Sequence, residues 1–244
     1  RAMGMPQENI TLVDTKGAFA LALDAVRVVY LPHLGDADTA ALLDAWRSDT
    51  GGHYRSYTRG ELSYRAQRVA RANALHADFG GPALDEDGFD AWDAVFEAGF
   101  EAAWAPHEDA RPALDAVRAA GVAVGALSNA RVAYQEGKMR ATGMAEVPVL
   151  VGVDTLGVGK PDPRVFLEAC RRLGTEPART VYVGDELDID ALAAVRVGMI
   201  GVWIDRAGSR RVPVEQAELD EAVDAGVHVI SSLDELPSVL GLSG

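Results

Sequence analysis

The chain is poor in cysteine: Cys170 stands alone in 244 residues. An internal disulfide is excluded, and a reducing, cytoplasmic setting is expected. Cys170 lies in the helical pattern "PRVFLEACRRLG", where a small buried filler is the expected role. Long uncharged apolar runs are also missing, and mean hydropathy is near zero (+0.01). A membrane span is therefore not expected. Basic residues are few, 23 Lys and Arg against 37 Asp and Glu, for a formal charge of −14. Such an excess repels nucleic acid and anionic lipid, so neither is an expected partner. A signal-peptide pattern is absent, and "RAMG" before Met5 reads as an expression scar and stays out of the fold argument. What remains is ample: 48% apolar residues suffice for one α/β domain, alone or with a smaller partner domain.

From about residue 110 onward, strand and helix patterns alternate. "GVAVGAL" ends at Ser128-Asn129, "VPVLVGV" near Asp154, "TVYVG" at Asp185 and "IGVWI" at Asp205, and "VHVIS" closes the series. Between them run "RPALDAVRAAG", "DPRVFLEACRRLG", "DIDALAAVRVG" and "SLDELPSVLG". Apolar strands alternating with helices predict a doubly wound parallel sheet, whose ligands gather at the carboxyl ends of the strands. Ser128, Asp154 and Asp185 all fall there. Residues from about 20 to 106 carry helical patterns without strands, which predicts an inserted helical lid. The expected division is a core of residues 1–22 and 107–244 around a cap of residues 23–106.

Three segments carry candidate chemistry. In "VYVGDELDIDALAAV", Asp185, Asp188 and Asp190 crowd the end of a strand and the start of a helix. Such acids either cap the helix or share a cation, and hard carboxylate oxygens suit Mg2+. In "LGVGKPDPRVF", Lys160 is held between a glycine turn and a proline, placed for an anion or a carboxylate. It is not a phosphate-binding P-loop lysine, because Ser or Thr does not follow it and Asp154 replaces the required first glycine. In "GVAVGALSNA", Ser128 and Asn129 form either a simple turn or a pair of hydrogen-bond donors for a phosphoryl oxygen.

Taken in order, Ser128-Asn129, "GKPDP" from Gly159 to Pro163, and "GD" at Asp185 followed by Asp190 resemble the haloacid dehalogenase superfamily, specifically its capped phosphatase-like members. The likeness covers nearly the whole chain, with the helical insert in the position of that family's first type of cap. It implies a Rossmann-like core and Mg2+-dependent hydrolysis of a small phosphorylated metabolite. An aspartate ending the first strand attacks phosphorus, and a second one two residues on serves as acid and base. Carried over, Ser128, Asn129 and Lys160 hold phosphate, while Asp14, Asp185 and Asp190 bind or orient the metal. "GD" in this last motif resembles the phosphatases rather than the dehalogenases.

The family's first motif, Asp-x-Asp-Gly-Thr, fits in two registers. In one, "LVDTKGA" is the motif: Asp14 is the nucleophile, Lys16 replaces the second acid, and "NITLV" supplies the strand. In the other, "TLVDT" is the tail after the glycine, and Gln7 and Asn9 take the catalytic places. Strand quality favours the first, downstream spacing the second. The alternative to an active hydrolase is a catalytically impaired relative that binds a phosphorylated ligand or a protein. In the lid, Arg55, Arg59, Arg65, Arg68 and Arg71 form a basic group. Arg65, Arg68 and Arg71 share one helix side, expected as a solvated face or as a recruiter of anionic substrate. Trp46, Trp92, Phe96, Phe100 and Trp104 are expected to form the lid's core.

Overall fold

The structure is a computed structural model that describes residues 11–58, 60–210 and 213–242. Gln7, Asn9 and Arg59 lie outside the described residues. The chain divides into two compact units, one of Thr15–Trp104 and one of the residues up to Asp14 together with Ala105 onward. The boundary expected at residues 22–23 falls inside a continuous first helix.

The Thr15–Trp104 unit is helical: α1 (Thr15–Tyr30), α2 (Thr39–Ser48), α3 (His53–Thr58), α4 (Tyr64–Phe79) and α5 (Glu86–Ala102). Ser63 caps α4 by accepting the Ala66 N–H, and Asp85 caps α5 by accepting that of Gly88, each satisfying an orphan donor of the first turn. On α5, Phe89, Trp92, Phe96 and Phe100 recur every three or four residues and are fully buried, the stripe of a core-facing helix. Phe19 of α1 stacks on Phe100 at 4.7 Å, and Trp46 of α2 on Phe96 at 5.1 Å. These aromatics make up the lid's core, as the pattern predicts.

The lid arginines divide. Arg65 is half-exposed and pairs with Glu86 and Asp90. Arg68 is instead only 3% exposed, bonded to Asp93 at 2.5 Å and Glu97 at 3.0 Å, with its guanidinium 4.3 Å from the Phe96 ring centroid. Arg71 donates to the Trp46 carbonyl at 2.6 Å and lies over its ring at 4.1 Å. Burial lowers its pKa to about 10. The expectation of a solvated basic face holds for Arg65 and is corrected for Arg68 and Arg71. Spacing shows that three cations share a side of α4, but not that acids and aromatics from α5 and α2 cover it.

The second unit runs α6 (Ala110–Ala119), β1 (Ala126–Leu127), α7 (Val132–Ala141), β2 (Val149–Val151), α8 (Val153–Leu156), α9 (Pro163–Leu173), β3 (Val181–Gly184), α10 (Ala193–Arg196), β4 (Ile200–Ile204), α11 (Gln216–Asp224), β5 (His228–Ile230) and α12 (Leu236–Val239). A wide π-type turn over Leu187–Leu192 leads into α10. All five apolar runs become strands, and every ladder among them is parallel: β1 with β2, and β3–β4–β5. Val165, Phe166 and Cys170 of α9 pack with Leu127 and Val151, while Trp203 packs with Ala222 and Leu187. Cys170 is buried, as its setting suggests.

Among the described residues the sheet is in two parts. An apolar cavity of about 480 Å³ is lined by Ala126 and Leu127 of β1, Val181–Val183 of β3, and Thr11 and Leu12. The first strand was expected over residues 9–13. Residues 9 and 10 lie outside the described residues, Thr11 and Leu12 form a turn, and Val13 makes one antiparallel bridge to Pro106. With the cavity along one edge, β1 keeps two residues of the expected seven.

Candidate active site

Short strands deliver the site by fixing where the chain leaves the sheet. Ser128 follows β1 directly and donates its N–H to the Val151 carbonyl at 3.0 Å. Its hydroxyl is buried, accepts the Ala130 N–H at 3.0 Å and lies 3.5 Å from Gln135 Oε1. Asn129 faces the loop before α9: its Oδ1 accepts the Lys160 N–H at 2.5 Å and its Nδ2 donates to the Lys160 carbonyl at 3.0 Å. Both polar atoms of the amide therefore grip one peptide unit's neighbourhood. Gly159 permits this, since a Cβ there would stand 2.5 Å from Asn129 Oδ1.

Lys160 then extends to Asp190, with Nζ 2.5 Å from Oδ1. The lysine side chain is 11% exposed and the aspartate 2%. Burial works against the ammonium, but the Asp190 carboxylate and the Tyr182 hydroxyl outweigh it, so the Lys160 pKa is raised and the group stays charged. The second oxygen of Asp190 accepts the Glu186 N–H at 3.1 Å, which fastens the π-type turn to the end of β3. Gly184 makes room for this: a Cβ at that position would meet Asp190 Cβ at 2.3 Å. Tyr182 makes long contacts of 3.4 Å to Asp190 Oδ1 and the Leu127 carbonyl, linking β3 to β1. Burial pushes its phenol pKa up, with Asp190 adding to the shift.

The structure thus joins Asn129, Lys160 and Asp190 in one network at the carboxyl ends of β1 and β3, with Ser128 immediately before Asn129 in the chain and bonded to Ala130 and Gln135. Asp185 leaves β3 beside it, its carbonyl accepting the Trp203 indole N–H at 2.9 Å. With Asp205 and Arg210 it borders a recess of about 10 Å³, room for about one water. Asp154, also at a strand's end, caps α7 by accepting the Val132 N–H at 3.0 Å. Asp14 immediately precedes α1, and its N–H donates to the Ala105 carbonyl at 2.8 Å. Tyr182 and Gln135 are network members that sequence reasoning missed; the only signal was a polar side chain within or just after an apolar run.

Carboxylate oxygens are the right chemistry for Mg2+. Among the described residues, however, no three His, Cys, Asp or Glu side chains gather into a group able to hold a metal, so Asp14, Asp185 and Asp190 do not form one. Asp190 is occupied by Lys160 and Glu186. Asp185 fits an ion of the kind that takes one or two carboxylates and fills its shell with water and substrate oxygens.

With fold and network described, the chain's relatives can be placed. Residues 11–198 match the family model of haloacid dehalogenase-like hydrolases, and the chain belongs to that family. It is 39% identical over 102 residues to the glyceraldehyde 3-phosphate phosphatase of Methanopyrus kandleri, covering 41% of this chain and 44% of that one. It is also 33% identical over 136 residues to (S)-2-haloacid dehalogenase 1 of a Pseudomonas species, covering 55% and 56%. The chain therefore spans about half the length of the curated relatives it matches. In fold, it is similar to the magnesium-bound putative HAD-hydrolase YfnB of Bacillus subtilis, with a TM-score of 0.73, 18% identity and 96% of each chain covered.

Proposed function

We propose that this chain hydrolyses phosphomonoesters of small metabolites. The observation that carries the reading is the buried Lys160–Asp190 pair, clamped at the strands' carboxyl ends by Asn129, the residue after Ser128. A lysine held in its charged form, with N–H donors beyond the one given to Asp190, is suited to the equatorial oxygens of a transferring phosphoryl group, and the Ser128 hydroxyl is the proposed second donor. Asn129 and Asp190 act through Lys160, one on its backbone and one on its ammonium. Asp14 is the proposed nucleophile, forming an aspartyl-phosphate that water then cleaves; its place before α1 and the lysine at residue 16 make it the atypical part of the site. Asp185 is the proposed Mg2+ ligand; when bound, the ion neutralises charge on the phosphoryl group. What supports phosphate over halide chemistry is the "GD" segment and a phosphatase relative at 39% identity.

The test is Mg2+-dependent phosphate release from a panel of phosphomonoesters, with 2-haloacids as a parallel arm. Lys160→Met and Asp14→Asn are each expected to lower turnover at least about a hundredfold. Halide release without phosphate release would replace the reading with dehalogenation, and turnover unchanged in Asp14→Asn would remove Asp14 as nucleophile.

A further inference from the structure

Gln135 has no part in the reading above, yet it is wholly buried on the first turns of α7 and its Oε1 stands 3.5 Å from Ser128 Oγ. Its Nε2 is buried and has no hydrogen-bond partner. A buried amide N–H left unpaired costs about 1–3 kcal/mol, and native proteins keep few such groups without a use for them.

The Ser128 hydroxyl has one proton and two lone pairs. One lone pair takes the Ala130 N–H at 3.0 Å. As the amide stands, the proton points at Gln135 Oε1 over 3.5 Å, longer than the roughly 2.5–3.0 Å of a firm hydroxyl bond. Turning the Gln135 amide over about its last torsion reverses the pattern. Nε2 then faces the second lone pair of Ser128 across the same 3.5 Å, a gap that a side-chain shift of about half an ångström closes into an N–H···O bond, and the hydroxyl proton is left a single direction, outward. The displaced Oε1 becomes an under-satisfied acceptor, the cheaper kind of orphan.

We propose that Gln135 is a positioning residue whose amide turns over when an anion binds, switching the Ser128 hydroxyl from facing the protein to donating to a phosphoryl oxygen. The proposal rests on the phosphate reading of Ser128. An amide can accept from the hydroxyl in one state and donate to it in the other, whereas a carboxylate can only accept and a hydrocarbon does neither.

The experiment measures inorganic phosphate binding by calorimetry, and follows the Gln135 side-chain amide by ¹H–¹⁵N NMR, assigned in the wild-type protein through its side-chain carbon correlations. In the wild-type protein the amide resonances are expected to move on saturation with phosphate. Gln135→Leu is expected to weaken phosphate binding about five- to tenfold, the worth of one oriented hydrogen bond, and Gln135→Glu at least as much. In a Ser128→Ala background Gln135→Leu should cost less than about twofold, because it acts through the missing hydroxyl. The proposal is overturned if Gln135→Leu binds phosphate like wild type, if it costs as much without Ser128 as with it, or if the wild-type amide resonances stay put in the phosphate complex. The last reading survives any folding defect in the variants. Wild-type protein that binds no phosphate would instead overturn the phosphate reading, and the proposal with it.

Discussion

Asp190 spends its carboxylate inside the protein, one oxygen on the Lys160 ammonium and the other on the Glu186 N–H. Removing one partner of a buried pair leaves an uncompensated charge, whereas replacing both is far milder. Asp190→Asn is therefore expected to cost about 3 kcal/mol in chemical unfolding, and adding Lys160→Met to recover most of it; additive losses would mean that the two side chains are not coupled. Asp109 offers a pH counterpart. Its carboxylate accepts from Arg206 at 2.7 and 2.8 Å, from Ser232 at 2.9 Å and from the Leu233 N–H at 2.9 Å. Burial pushes its pKa up, but Arg206, the Leu233 N–H and Ser232 outweigh burial and hold it at about 2. A depressed folded-state pKa contributes stability that is fully present above the unfolded value near 3.9 and is lost as pH falls towards 2. The melting-temperature gap between wild type and Asp109→Asn should accordingly be widest above pH 5 and close between about pH 4 and 2; a gap constant with pH would contradict the assignment.

At the scale of elements, the legible features were those that repeat. Five apolar runs announced five strands, and their order set Ser128, Asp185 and Asp190 at one end of the fold. "GKPDP" and "VGD" marked the loops that meet there, but not the clamp between them. Asn129 reads as a donor to ligand until the structure shows its amide committed to the Lys160 backbone, and Tyr182 reads as one more strand residue. The lid shows the same limit. Helical spacing grouped Arg65, Arg68 and Arg71, yet Asp93 and Glu97 sit one helix away, and long-range pairing of that kind leaves no periodic trace. The burial of Arg68 carries a test: Arg68→Met strands Asp93, whose side chain is 9% exposed, and is expected to destabilise the helical unit by about 3–5 kcal/mol. Arg65→Met, removing half-exposed pairs, should cost less than about 1 kcal/mol. Equal losses, read by denaturant unfolding, would mean that the three arginines do share a solvated face.

At the scale of the whole molecule, the stretch leading into the first helix resisted reading. A strand was expected to end at Asp14; the structure instead has a turn at Thr11–Leu12, a single bridge at Val13, and a cavity between β1 and β3. The two registers of one motif differ in which residues supply the first strand and in whether Asp14 or Gln7 and Asn9 take the catalytic places, and local preference does not decide between them. The proposed anion cradle at the strands' carboxyl ends does not depend on that choice, because Ser128, Asn129, Lys160 and Asp190 all come from the later part of the chain. Its most direct test is a crystal structure with tungstate, a heavy mimic of phosphate whose position anomalous scattering reveals. A single strong site is expected within hydrogen-bond reach of Ser128 Oγ and Lys160 Nζ. Tungstate bound at the lid arginines, with no density beside Ser128 and Lys160, would contradict it.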